Sequence, residues 1–203
     1  MTLRIHRIPY STNVERVALA CAHKGLAVEW VDHDVGDRAA IRAVSGQELV
    51  PVAETDDGVL TDSPVILEWL EHTHPEPPLL PAAPAARAQV RTFSDWFNLV
   101  WKRAPNALVA EPPPGAAHAR TLRHTIRAHL ERFEALLTGH DFLVGDALTL
   151  ADVTAFPFLK YPVLGLAEDD ADPFHAMLVD TMTVADDSPL RPWVARLDAL
   201  PRA

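Results

Sequence analysis

Several things are scarce in this 203-residue chain, and each scarcity narrows its chemistry. There is a single cysteine, Cys21, so no disulfide can close within the chain. A reducing, cytoplasmic setting is the expectation, because disulfides are rare there. No apolar run approaches the roughly 18 residues that cross a bilayer, so no membrane partner is expected. The opening MTLRIHRIPY lacks the apolar core of a secretory signal. Cations are outnumbered, with 18 Lys and Arg against 28 Asp and Glu, for a formal net charge of −10. Nucleic-acid binders carry a basic footprint, so no nucleic-acid partner is expected. Metal-ligand spacing is lacking too. His72 and His74 have no nearby cysteine, and His124 and His129 stand five apart, off the helical spacing for sharing an ion. We expect no metal site.

Proline, by contrast, is abundant. Five of the 18 prolines fall in HPEPPLLPAAP, residues 74–84. Proline lacks an N–H and clashes inside helices, so this stretch is neither helix nor central strand. We read 75–84 as a linker between a domain at 1–74 and another at 85–203. Apolar residues make up 48% of the chain, which is enough for a real core.

Before the linker, strand and helix patterns alternate. LRIHRI (3–8) alternates as a strand does. From Val14 the apolar positions Val14, Val17, Ala18 and Cys21 form one helical stripe, with Gly25 as its stop. On that stripe Cys21 is expected to be core. LAVEWVDHD (26–34) reads as a strand, 37–44 as a short helix, and VPVAE (50–54), DDG (56–58) and VLT (59–61) together as a hairpin with an Asp-Gly turn. SPVILEWLEH (63–72) reads as a helix, with Ser63 as N-cap and Pro64 at the first position. The order β-α-β, helix, β-β-α builds a mixed four-stranded sheet. After the linker the chain reads as helical over 85–104, 117–138, 149–160, 173–184 and 189–199. Thr149 and Asp152 in GDALTLADV have the spacing of a capping box, with Leu148 and Val153 as its staple.

Ser11, Pro51 and the Asp62-Ser63 pair all fall at element ends, and such ends can converge at one edge of a sheet. Pro51 between Val50 and Val52 suits either a cis bond or an edge strand. Ser11 suits an N-cap, but if Asn13 is the cap then Ser11 is left to face a ligand.

These pieces in this order resemble the glutathione S-transferase family. PYSTNVERV, SGQELVPV and TDSPVILEWLEHTHPEPPLLP are similar to its thioredoxin-like α/β domain, and FLVGDALTLADV to its all-helical C-terminal domain. The resemblance implies a transferase that takes glutathione as co-substrate, with no other cofactor. Ser11 would donate to the glutathione sulfur, and the resulting thiolate would attack a small hydrophobic electrophile. The backbone of Val50, before a cis Pro51, would pair with the cysteinyl part. Asp62 would hold the ammonium and Ser63 the γ-glutamyl carboxylate. Gln47 would take the glycyl carboxylate, with Arg38 and Arg42 as alternatives. Tyr10, Phe97 and Trp101 would line the electrophile pocket. The resemblance also implies detoxification and a homodimer. Two other readings stay open. One is a binding or interaction protein that kept the fold and lost turnover. The other is a glutathione-dependent isomerase, although isomerases of the family carry Ser-Ser-Cys where this chain has STN.

Overall fold

A computed structural model of the chain describes residues 3–203. It divides into two compact units. One runs to Leu79 and takes in Leu200–Ala203, and the other spans Leu80–Ala199. The division falls inside the proline-rich stretch. The last four residues group with the first unit, whereas the sequence reading assigned them to the helical domain.

The first unit runs β1 (Leu3–Arg7), α1 (Thr12–His23), β2 (Val28–Asp32), α2 (Ala39–Ser45), β3 (Val52–Thr55), β4 (Gly58–Thr61) and α3 (Ser63–Thr73). The sheet order is β2-β1-β3-β4. Strand β1 is parallel to β2, and β3 is antiparallel to both of its neighbours. This is the mixed sheet of a thioredoxin-like domain. The stripe of α1 is buried as its period requires, and Cys21 is fully enclosed. Strand β2 starts later than the sequence suggests because Gly25 and Leu26 close α1 instead. Gly25 takes φ 64, its N–H bonds Ala22 O at 3.0 Å, and the Leu26 N–H bonds Cys21 O at 2.9 Å. That pair of bonds is a Schellman motif, and glycine relieves the Cβ clash it would otherwise cause. In the hairpin, Thr55 pairs with Gly58, so Asp56 and Asp57 make the turn and Gly58 opens β4.

Two devices tie the ends of this unit together. Lys24 Nζ lies 2.5 Å from a Glu71 oxygen and donates to the carbonyls of His74 and Pro77, which fastens the exit of α3 to the end of α1. The C-terminal tail adds a second clasp. The Trp30 indole donates to Ala203 O at 2.7 Å, Ala203 N–H donates to Ala18 O, and Arg202 pairs with Glu15 at 3.0 Å.

The second unit is helical: α4 (Pro84–Trp96), a π-helical turn (Phe97–Trp101), α5 (Arg103–Leu108), α6 (Ala116–Leu137), α7 (Leu150–Leu159), α8 (Tyr161–Leu164), α9 (Pro173–Thr181) and α10 (Leu190–Asp198). The helix expected over 85–104 is therefore not continuous. The Lys102 N–H reaches back to Phe97 O at 3.1 Å, an i→i+5 bond, and this wide turn resets which side chains face inward. The core of the unit is aromatic: Phe97 and Trp101 stack on each other, and each also meets Phe133 and Phe158 at tilted or edge-on geometry. The capping box forms at Thr149 and Asp152. Asp152 goes further than a cap. Its Oδ1 accepts from Leu143 N and Trp193 Nε1, and its Oδ2 accepts from Thr149 N and Oγ1.

Candidate active site

The strand register brings the candidate residues together. His6 near the end of β1 pairs with Val52 at the start of β3, and Val52 pairs with Thr61 at the end of β4. The segments that follow or precede those positions therefore emerge at one end of the sheet: Tyr10-Ser11 after β1, Val50-Pro51 before β3, and Asp62-Ser63 after β4. A small apolar cluster of Val14, Val50, Val52 and Ile41, with Ile8 packed against it, fixes the first turn of α1 beside Val50. The Val50-Pro51 bond is cis.

Ser11 is the N-cap of α1, so Asn13 is not. Its Oγ accepts from Val14 N–H at 3.4 Å. Capping uses one lone pair of a hydroxyl, which leaves its proton free to donate elsewhere. Ser11 is half-buried and stands at the positive end of a 12-residue helix. A cap and a donor to an anion are thus compatible in the same side chain.

At the other helix start the expectation changes by one residue. Asp62, not Ser63, is the N-cap of α3, and its side chain makes no capping bond. The carboxylate is exposed. Ser63 is the first helical residue and is fully buried. Its hydroxyl accepts from Arg16 Nη1 at 3.3 Å and donates to Asn13 Oδ1 at 3.4 Å. In this conformation Ser63 supports the surface from beneath and does not form part of it.

Two backbone features had no sequence signal. Among the described residues, the non-glycine positions with positive φ are Tyr10 (φ 59) and Asp62 (φ 72). Each immediately precedes one of the two serines. Bulky residues in that region are strained by about 1–3 kcal/mol, and such strain collects at functional sites. Arg16 was also missed, since an arginine in an amphipathic helix is normally read as a solvated face. It is 1% exposed. Burial drives its guanidinium down to about 9, with nearby Asp62 pulling the other way.

The other candidates fare differently. The Gln47 amide is spent on its own loop: Nε2 donates to Leu49 O at 2.8 Å, and Oε1 accepts Leu49 N–H at 2.5 Å. Arg38 donates to Val35 O and Glu48 O, and Arg42 pairs with Glu48. Tyr10 is exposed at 38%. Phe97 and Trp101 are both fully buried, with ring centroids stacked 4.3 Å apart, so neither lines an open surface. The π turn is the physical reason, because it turns both rings into the helical core. The exposed apolar residues of that turn are Leu99 and Val100. Cys21 is no reserve nucleophile, since burial pushes its thiol up to about 12. Among the described residues, no group of three or more His, Cys, Asp or Glu is placed to hold a metal ion. No helix among them is long and apolar enough to cross a membrane.

Comparison with known proteins fits this geometry. Residues 5–78 match the family model described as glutathione S-transferase, N-terminal domain, and residues 90–163 match its C-terminal domain. A glutathione S-transferase of Pseudomonas putida is 32% identical over 155 residues, covering 74% of this chain and 70% of that protein. The maleylacetoacetate isomerase of Pseudomonas aeruginosa is 29% identical, over 77% of this chain and 80% of its own. Among solved structures, a maleylacetoacetate isomerase from Anaeromyxobacter dehalogenans with bound dicarboxyethyl glutathione is 30% identical. It superposes with a TM-score of 0.70 over 98% of this chain and 87% of its own. With a thioredoxin-like unit, a helical unit, and matches that span both, this chain belongs to the glutathione S-transferase family.

Proposed function

We propose that this glutathione S-transferase generates the glutathione thiolate at Ser11 and directs it at a small hydrophobic electrophile. The observation that carries the proposal is the register His6–Val52–Thr61, which gathers three element ends at one end of the sheet. In this reading the glutathione backbone pairs with the Val50 backbone beside the cis Pro51, just ahead of the point where β3 enters its ladders with β1 and β4. Its ammonium goes to the uncommitted carboxylate of Asp62. Its γ-glutamyl carboxylate sits over the start of α3, with Ser63 beneath. The Ser11 proton points to the sulfur, and the positive end of α1 favours the thiolate. A free thiol near 8.5 drops to roughly 3.5–7.5 in such surroundings. The thiol proton passes to solvent, the thiolate sulfur forms the new C–S bond, and either the leaving group departs with its electron pair or, on addition to a double bond, the carbanion formed takes up a proton. Gln47 acts by holding the Leu49 loop next to the glycyl end. Tyr10, exposed beside Ser11, flanks the sulfur. A cytoplasmic homodimer acting in detoxification completes the reading.

Isomerisation is a second reading, and two of the three named relatives, both called maleylacetoacetate isomerase, support it. It begins with the same thiolate but adds to and leaves a double bond. The binding-protein reading requires a site that binds glutathione without ionising it.

The test is a titration of bound glutathione by thiolate absorbance in the wild type and in Ser11→Ala. The wild type should lower the thiol pKa, and the variant should return it toward the free value by one to two units. That shift follows from a hydrogen bond to an ionised group worth about 1.5–3 kcal/mol. An unshifted thiol in the wild type would leave a binding protein. An aryl halide and a cis-unsaturated diacid, assayed side by side, separate transfer from isomerisation.

A further inference from the structure

We infer that Arg16 is a positioning residue for the γ-glutamyl end of glutathione, holding the starts of α1 and α3 together beneath the ligand. The inference rests on the reading of the Asp62-Ser63 site above and deepens it.

The stripe of α1 that faces the interior is built from small apolar residues, Val14, Val17, Ala18 and Cys21. Arg16 is interrupted into this apolar setting and is nevertheless enclosed to 1% exposure. Arginine loses about 2 kcal/mol of rotamer freedom when fixed, and several more in desolvation. An apolar residue would fill the space without either penalty. The guanidinium therefore needs a job that an apolar residue cannot do, and the geometry names it. A single nitrogen, Nη1, donates to Asn13 Oδ1 at 3.2 Å and to Ser63 Oγ at 3.3 Å. Ser63 in turn donates to Asn13 at 3.4 Å, closing a triangle between two helices. Asn13 lies two residues after Ser11, and Ser63 one residue after Asp62. The triangle thus joins the residue proposed to face the sulfur to the residue proposed to face the ammonium, across a sequence gap of about fifty positions.

Charge adds a second effect. A buried cation beneath the start of α3 reinforces the positive end of that helix, which favours an anion above it. Arg16 touches no part of the ligand in this scheme. It sets the spacing of Asp62 and the α3 amides, and it favours a carboxylate there.

Three ligands test this: glutathione, the analogue 4-aminobutanoyl-Cys-Gly, which lacks the γ-glutamyl α-carboxylate, and glutaryl-Cys-Gly, which lacks the ammonium. Binding of each is measured by calorimetry to the wild type, Arg16→Met and Arg16→Lys, with circular dichroism to verify folding. The wild type should prefer glutathione over the decarboxy analogue by at least tenfold. Arg16→Met should shrink that preference below threefold, and Arg16→Lys should restore part of it. If Arg16→Met weakens all three ligands equally, or leaves the preference intact, Arg16 is a packing residue and the inference falls. If Arg16→Met fails to fold, Arg16→Lys decides: a folded lysine variant with the full wild-type preference also overturns the inference. A wild type that binds none of the three defeats the glutathione-site reading itself, a result distinct from either of these.

Discussion

Removing the Asp152 carboxylate should be the most damaging single change in the helical unit. Asp152 is fully buried and receives four hydrogen bonds of 2.8–3.1 Å. They arrive from three places: the loop at Leu143, the N-cap Thr149 and the indole of Trp193 on α10. In Asp152→Ala the Thr149 hydroxyl can turn away, but the N–H groups of Leu143, Thr149 and Trp193 cannot. Each buried donor left unpaired costs about 1–3 kcal/mol. Water entering the vacated space satisfies some of that, so we expect a loss of about 4 kcal/mol, near the range for uncovering a buried partner. Against a total stability of roughly 5–15 kcal/mol, that is a large share. It corresponds to a fall of about 8–16 °C in Tm for a chain of this size. Asp152→Asn keeps one acceptor oxygen and turns an amide against two donors, so it should lose about half as much. Thermal unfolding followed by circular dichroism, alongside urea titration, measures both. A loss below about 1 kcal/mol for the alanine variant would refute the hub role. So would an asparagine variant as damaged as the alanine one, since that would place the whole effect in charge and none in hydrogen-bond count.

Cys21 should be unreactive toward iodoacetamide in the native protein, because burial holds its thiol near 12 and shields it. Labelling should track unfolding in urea, and rapid native-state labelling would contradict this. Stability should also fall in mild acid. Burial, followed by the nearby Arg132 charge, holds the His129 imidazole below its ordinary 6.5. His23 and His33 are shifted the same way, chiefly by burial. A folded value below the unfolded one means that the unfolded chain binds the proton first. The stability is therefore present above about pH 6.5 and lost as the pH falls through the folded values. His129→Gln should flatten part of that fall in a series of Tm measurements against pH, and an unchanged slope would remove His129 from the account.

Much of this was legible in the amino acids because local rules and the final fold agree. The stripe from Val14 to Cys21, the Gly25 stop, the Thr149–Asp152 box and the proline cluster are all local signals. Each is set by dihedral preference or period, and each appears where its pattern lies. The order of strands and helices then leaves few arrangements of the sheet. What tertiary structure alone decided concerns contacts between residues far apart in sequence. Ser63 reads as a helix cap in isolation, yet Asp62 takes the cap position and Ser63 lies buried as the first helical residue, its hydroxyl accepting from Arg16 of α1. Arg16 carries no local mark of burial: Asn13 is a neighbour on its own helix, but Ser63, the partner across the helix pair, lies 47 residues away. Phe97 and Trp101 were given to a pocket by the family resemblance and not by their spacing, and a π turn, which no residue pattern announces, stacks both in the core. The left-handed backbone at Tyr10 and Asp62 has the same origin. Tyrosine has no preference for that region, and Asp62, with ψ 130, lies outside the αL well that aspartate tolerates, so neither residue type announces the conformation.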